Sequence, residues 1–406
     1  MPIDFRRLMA ARFCFSFAVQ MQVIVLGWRM YEITRDPLHL GLIGLVEAIP
    51  ALSLALFAGL IVDHSNPLTI YRRVVMVSLT SGLLLLVSQS RQLQLEAGLQ
   101  VSLLFCSSFL TGIARSFSQP SMYSMVPRII PKELIPKSTA WMSGAIQISR
   151  ISGPAVGGLL YGFLGVSGTA SVVCAVLLTA VIILFTIRLT HVKKERDPSK
   201  SMKDELLLGA RFVFRHPILF PALTLDMVSV LFGGVTALLP VFAAEVLFTG
   251  PKGLGILRAA PAVGATVMSL LLIRWEIKRQ AGRWLFIAVG GFGLSILIFA
   301  LSKSFTLSLL ALALSGVFDS ISVLVRSAAV QLSSPEHMRG RISSVNSIFI
   351  GSSNELGEFE SGIAAKFLGA VPAAVMGAGV CLLTVTVVGL FSPTLRRLNL
   401  EELDDH

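Results

Sequence analysis

Twelve ionisable side chains interrupt long apolar runs of this sequence: Arg12, Arg115, Arg150, Arg258, Arg326 and Lys366, against Glu47, Asp226, Asp319, Glu355, Glu358 and Glu360. A charge among hydrocarbon side chains is costly, so such residues pair with one another or line a wet path for a proton or a polar cargo. Cations and anions are equal in number, so pairing can neutralise the set, and the balance favours neither an anionic nor a cationic cargo. The chemistry this suggests is proton exchange. Burial raises a carboxyl pKa and a neighbouring Arg lowers it, so a carboxylate that trades an Arg partner for a proton couples protonation to packing. Asp226 and Asp319 are placed to do this. Asp226 lies about nine residues into its run, a rise of roughly 13 Å, close to the middle of a ~30 Å hydrocarbon layer. Arg326 follows Asp319 by two helical turns on the same face and reads either as a holder of an anionic group or as a lock on one end of the path. Glu47 and the group Glu355, Glu358 and Glu360 read as proton-coupling carboxylates, as partners in pairs between helix bundles, or as a solvated rim. For Arg150 and Arg258 an interface role is favoured.

Membrane-spanning helices must position these groups. The chain is 54% hydrophobic and only 14% charged, with a mean hydropathy of +0.78, whereas soluble domains are about a quarter charged. Apolar runs fall at about 5–33, 38–62, 70–90, 97–126, 138–164 and 167–188, then at about 218–246, 253–274, 283–302, 305–332, 341–368 and 371–392. That predicts an all-α membrane protein of twelve spans in two six-helix bundles, 1–188 and 218–406 with a short tail, joined by a polar linker over 189–217 that contains the amphipathic segment KDELLLGARFVFRHP. Arg12 interrupts the first run and no Ala-x-Ala site follows, so this run reads as a retained helix and not a signal peptide. With both termini on the cytoplasmic side, 23 Lys and Arg fall in that side's loops, while Arg35, Arg91, Lys252 and Lys303 fall on the other. This is the positive-inside asymmetry. The formal charge of +11 is thereby topology and attraction to anionic lipid headgroups, and requires no nucleic acid.

The halves repeat. An offset of 204 residues aligns Arg115 with Asp319, Pro131 with Pro335, Lys137 with Arg341, Gly153 with Gly357, Gly158 with Gly362, and Phe163-Leu164-Gly165 with Phe367-Leu368-Gly369. A duplicated six-helix unit suits two bundles rocking about a site between them.

The stretch RSFSQPSMYSMVPRIIPKELIPKSTAWMSGAIQISRISGPAVGGLLYGFLG, with VRSAAVQLSSPEHMRGRISSVNSIF and the linker's GARFVFRHP, resembles the major facilitator superfamily, in the branch that holds the enterobactin exporter and macrolide efflux proteins. The resemblance covers nearly the whole chain. It implies two pseudo-symmetric bundles, a central cavity lined chiefly by spans 1, 4, 7 and 10, and commonly proton-driven export. On that reading Arg115, Asp319 and Asp226 form the central site with Arg326. The superfamily's gating signature between spans 2 and 3 is kept here as Gly59 and Asp63. His64 replaces its basic residue, Asn66 its second glycine, and the basic pair is displaced to Arg72 and Arg73. In such proteins the aspartate caps a helix start and pairs across the bundles; a plain hydrophilic turn is the alternative.

Gln20 and Gln22, with Trp28 and Tyr31 further along span 1, offer hydrogen bonds and stacking to a ligand, although Trp28 and Tyr31 serve equally as interfacial anchors. GPAVGG and GVFD neither follow a strand nor continue into a phosphate loop, and read as close helix packing. The four cysteines, Cys14, Cys106, Cys174 and Cys381, lack ligand spacing. No HExxH, GxSxG or Walker pattern appears, so the expectation is no enzyme, no catalytic residue, no metal and no cofactor, with a proton gradient as driving force. The expected function is secondary transport by alternating access, most simply proton-coupled export of a small amphiphile such as a siderophore or drug-like compound. An uptake symporter or facilitator, a lysophospholipid flippase, and a non-transporting receptor or enzyme are the alternatives. The expected setting is a bacterial cytoplasmic membrane, with small molecule, protons and lipids as partners, no nucleic acid, and a monomeric chain.

Overall fold

In hydrocarbon, backbone N–H and C=O groups must be satisfied within their own segment, so the apolar runs fold as helices. The computed structural model describes residues 2–89, 93–187, 202–275, 277, 279–335 and 338–401, and no strand occurs among them. In chain order the long helices are α1 (Ile3–Thr34), α2 (Pro37–His64), α3 (Pro67–Ser88), α4 (Ala97–Ile129), α5 (Ile135–Phe185), α6 (Met202–Arg215), α7 (Leu219–Gly233), α8 (Gly250–Leu272), α9 (Ala281–Leu301), α10 (Phe305–Leu332), α11 (Arg339–Leu368) and α12 (Ala370–Phe391). After α7 the chain unwinds at Gly234 and continues to α8 through short helical pieces, Thr236–Leu238 and Leu239–Val241, and a π-helical turn, Phe242–Val246.

Among the described residues, ten helices are long and apolar enough to cross a membrane. The difference from the expected twelve has two sources. The 49-residue apolar stretch Lys137–Phe185 is a single unit by this measure, yet Gly165 breaks it with φ 68° and ψ −174°. The 30 residues of α11 are long enough to cross but carry Glu355, Glu358, Glu360 and Lys366. The break at Gly165 has a counterpart 204 residues on, where Gly369, φ 90°, separates α11 from α12. The repeated Phe-Leu-Gly therefore marks a repeated break in the helix at a φ that L-residues rarely adopt.

Contacts divide the chain into two compact units, residues 1–195 with 239–259, and residues 196–238 with 260–406. This departs from the sequence division at the linker: 239–259, from the second half of the sequence, packs with the first unit. The division falls just after the end of α7, where Gly234 has φ −77° and ψ 94°. In the first unit, Gly153 and Gly157 bring α5 against the α1 backbone at Phe17, Gln20 and Met21, and Gly112 brings α4 against the Glu47 carbonyl and Pro50 of α2. The second unit repeats the device, with Gly316 of α10 against the Pro261 carbonyl of α8. Backbone approach of this kind drives helix association where lipid removes the hydrophobic drive. Each unit has its own core, one around Leu8, Met21, Tyr71 and Leu177, the other around Leu225, Leu285, Ile321 and Val325. Large apolar side chains such as Ile182, Leu270, Leu383 and Leu390 remain more than half exposed, as lipid-facing residues do.

The amphipathic part of the linker is α6. Val213 is buried with Leu219, Leu223, Val330, Ile342 and Val345, while Leu208 and Phe214 are exposed. The more polar part, 188–201, lies outside the described residues. His216 joins α6 to α7, and its Nδ1 accepts from the backbone N–H groups of Ile218 and Leu219, both at 3.3 Å. Burial pushes its pKa below the ordinary histidine value. A neutral ring is what an acceptor at a helix start requires.

Candidate functional site

Asp226 sits about two turns into α7, and Arg326 lies in the second half of α10. In the second unit the two side chains form an ion pair, Asp226 only 9% and Arg326 only 4% exposed. Ser229, one turn beyond Asp226, and Ser322, one turn before Arg326, are also buried and extend the polar patch along both helices. Asp319, two turns before Arg326 on the same helix, is half-buried. Sequence singled out Asp226, Asp319 and Arg326 separately; the fold joins Asp226 to Arg326. Because neither partner reaches bulk water, removing one charge strands the other, the condition under which a proton becomes a switch.

In the first unit Arg115 donates to Glu47 Oε1 at 3.1 Å, tying α4 to α2. Glu47 therefore has a partner inside its own unit, next to the contact made by Gly112, where the sequence reading offered a pair between bundles. Arg115 is thus paired, with 53% of its side chain exposed. Gln20 is half-buried beside Gly153. Gln22 is 1% exposed, its Nε2 donates to Ser81 at 2.6 Å and to Ser107 at 3.0 Å, and its Oε1 has no hydrogen-bond partner. With Thr111 bonded to Ser81, these residues form a buried polar knot joining α1, α3 and α4. The sequence reading took Gln22 as a ligand because a polar group in an apolar run signals either use, and only its neighbours decide between them. Arg12, 3% exposed, donates through Nη2 to Gln119 at 2.8 Å.

Glu355 is buried on α11 and Glu358 half-buried. In the gating signature, Gly59 has open space around it. Asp63 lies in the last turn of α2, and its side chain is outside the described residues. The cap of α3 is Asn66, which accepts from the Leu68 N–H at 3.0 Å. Arg72 donates to the Leu184 carbonyl at 3.0 and 3.2 Å and to the Ile187 carbonyl at 2.8 Å, closing the end of α5. It has a structural load independent of any gate. Arg73 is exposed.

A cluster that sequence reasoning did not assemble lies at the far end of α1. Glu32 accepts from Trp28 Nε1 at 2.6 Å, Tyr161 Oη at 2.7 Å and Arg29 Nη1 at 3.1 Å. Tyr31 Oη donates to Glu245 Oε1 at 2.5 Å, and Lys252 lies 3.6 Å from the Phe163 ring centroid. Glu245 and Lys252 belong to 239–259, so these contacts, with the backbone approach of Gly158 to Gly255, are what hold that segment in the first unit. Trp28 and Tyr31, expected as interfacial anchors or ligand contacts, are committed to carboxylates. Glu32 and Glu245 stand at the edges of apolar runs, where a carboxylate looks like ordinary loop charge. Among the described residues, no group of three or more His, Cys, Asp or Glu could hold a metal ion.

Comparison with known proteins places this geometry. The profile of the family described as transmembrane secretion effector matches residues 3–405. The enterobactin exporter EntS of Shigella dysenteriae serotype 1 is 24% identical over 231 residues, 57% of this chain and 55% of the relative. EntS of Escherichia coli O81 matches to the same extent. The chain thus spans about half the length of the curated relatives it matches. Among solved structures, the nucleoside transporter NupG has a TM-score of 0.76 at 14% identity, covering 96% of this chain and 99% of that one. A POT family transporter in complex with 5-aminolevulinic acid has a TM-score of 0.76 at 12% identity, with 97% of both chains covered. A bacterial homolog of the human lysosomal transporter Spinster has a TM-score of 0.71 at 15% identity, covering 99% and 98%. At such identities the likeness shows the fold alone. From the family match over nearly its whole length, the chain belongs to the transmembrane secretion effector family of the major facilitator superfamily, and its apolar helices make it a multi-pass membrane protein.

Proposed function

We propose that this transporter exports a small amphiphilic molecule of the siderophore or drug-like class in exchange for protons, by alternating access, in a bacterial cytoplasmic membrane with both termini inside. The observation that carries the coupling is the buried Asp226–Arg326 pair. Protonating Asp226 removes the counter-charge of Arg326, and a buried pair broken on one side costs about 3–5 kcal/mol. That is a bias of roughly 10² to several times 10³ on a two-state equilibrium, ample to make conformation follow protonation. Arg326, once released, can take an anionic or hydrogen-bonding group of the cargo, and loss of the proton restores the pair. Arg115, exposed beside Glu47, and Asp319 are the further residues offered to cargo. The export direction is supported by the likeness to the enterobactin exporter EntS, and the orientation by the Lys and Arg of the loops. The driving force is the proton gradient, and the chain acts as a monomer without a cofactor.

In proteoliposomes, Asp226→Asn should abolish transport driven by a pH gradient while leaving exchange of cargo at equal pH. Gradient-driven transport at the wild-type rate in this variant would refute the coupling. Inside-out vesicles give the direction: accumulation dependent on an acid interior supports export, and uptake coupled to proton entry from the opposite face supports symport instead.

A further inference from the structure

Against α6, in the second unit, lies a cavity of about 310 Å³ lined by Leu208, Arg211, Phe212, Arg215, His216 and Pro217. We propose that it is a binding site for an anionic phospholipid, whose headgroup phosphate is taken by Arg211 and Arg215.

Arg211 and Arg215 are four residues apart, so their guanidinium groups stand over one another on one face of α6, and like charges at this spacing destabilise a helix. Both are exposed, and among the described residues no carboxylate pairs with either. An anion between them converts repulsion into two charge-assisted hydrogen-bond forks, the geometry guanidinium offers to phosphate. His216 adds a donor. Its Nδ1 is occupied by the backbone N–H groups of α7, which leaves the proton of the neutral ring on Nε2. The lining also has an apolar part, Leu208, Phe212 and Pro217, and the Phe212 and His216 rings lie tilted at 40° with centroids 5.4 Å apart. Leu208 is 50% and Phe214 54% exposed, although Phe214 also touches Phe220 and Phe349.

A free phosphate would use the cations and leave these apolar groups in water. A phospholipid uses both, with its acyl chains against Leu208 and Phe214. A helix that carries arginines beside exposed apolar side chains, and a buried face against the protein, is one that lies in the membrane interface. Anionic lipid also concentrates beside juxtamembrane cations. Which leaflet supplies the lipid rests on the orientation read from loop charge, and the binding chemistry does not.

The test uses the full chain purified in uncharged detergent. Dioleoylphosphatidylglycerol should raise the thermal midpoint by several degrees and remain bound in native mass spectrometry, whereas dioleoylphosphatidylcholine at the same mole fraction should do neither. Arg211→Gln with Arg215→Gln should lower retention of phosphatidylglycerol about tenfold and leave the midpoint in phosphatidylcholine unchanged, while Arg211→Lys with Arg215→Lys should keep part of the binding. Equal retention by wild type and the Gln variant would overturn the site. So would an equal shift from inorganic phosphate, which would assign it to a free anion, or a gain of lipid on replacing Glu195 and Asp197 by amides, which would mean that the chain's own linker fills the cavity. Detergent has no leaflets, so failure here counts against the site, while a wrong orientation would appear only in labelling of the termini.

Discussion

At the scale of residues, the question is whether the Asp226–Arg326 pair exists for stability or for coupling. Burying two charges costs several kcal/mol per ion, and their attraction repays this only partly. Arg326→Met alone should destabilise the protein by about 3–5 kcal/mol, because Asp226 is left buried without a partner. Asp226→Leu with Arg326→Met should fold as stably as wild type or better, since apolar replacement of a buried pair is often neutral or favourable by ~1–4 kcal/mol. If that double variant unfolds at the wild-type denaturant concentration but no longer responds to a pH gradient, the pair serves coupling. Restored pH-driven transport would make it structural. Gln22 is the contrast: its Nε2 is committed to Ser81 and Ser107, while its Oε1 is buried without a hydrogen-bond partner.

At the scale of elements, the two repeated glycines and the α6–α7 joint carry the predictions. Gly165, with φ 68° and ψ −174°, has open space where a Cβ would stand, so Gly165→Ala isolates the backbone cost, about 1–3 kcal/mol. Gly369→Ala should cost a similar amount at φ 90°. Denaturant midpoints in mild detergent measure both, and an unchanged midpoint would show that the break tolerates another backbone conformation. His216 gives a pH signature. Burial holds its folded pKa below the ordinary ~6.5, so the unfolded chain takes up the proton first. Its cap on α7 is present above that ordinary value and lost as pH falls through the folded pKa. His216→Ala should lose about 1 kcal/mol at pH 8 and show a smaller fall in thermal midpoint between pH 7.5 and 5.5 than wild type does.

At the scale of the whole molecule, the notable feature is that the chain passes between units within span seven and again within α8, so that 239–259 belongs to the first unit. Val241 is 3% exposed there. Val241→Cys in a cysteine-free background should react slowly with a membrane-impermeant maleimide. Adding Tyr31→Phe, which deletes the charge-assisted bond to Glu245, should speed labelling at least about tenfold; no change would mean that the bond does not hold the segment. Sequence by itself determined the helical class, the duplication and the list of charges that must be neutralised, because hydrocarbon imposes these through local composition: a run is apolar or not. The Phe-Leu-Gly pair was legible as a repeat, whereas the positive φ of its glycines appears only in the structure. Which charge meets which was not legible. Asp226 with Arg326, Glu47 with Arg115, and Tyr31 with Glu245 are 100, 68 and 214 residues apart. Those pairings depend on helix rotation and on where the chain breaks, and these are properties of packed neighbours that only the tertiary structure decides.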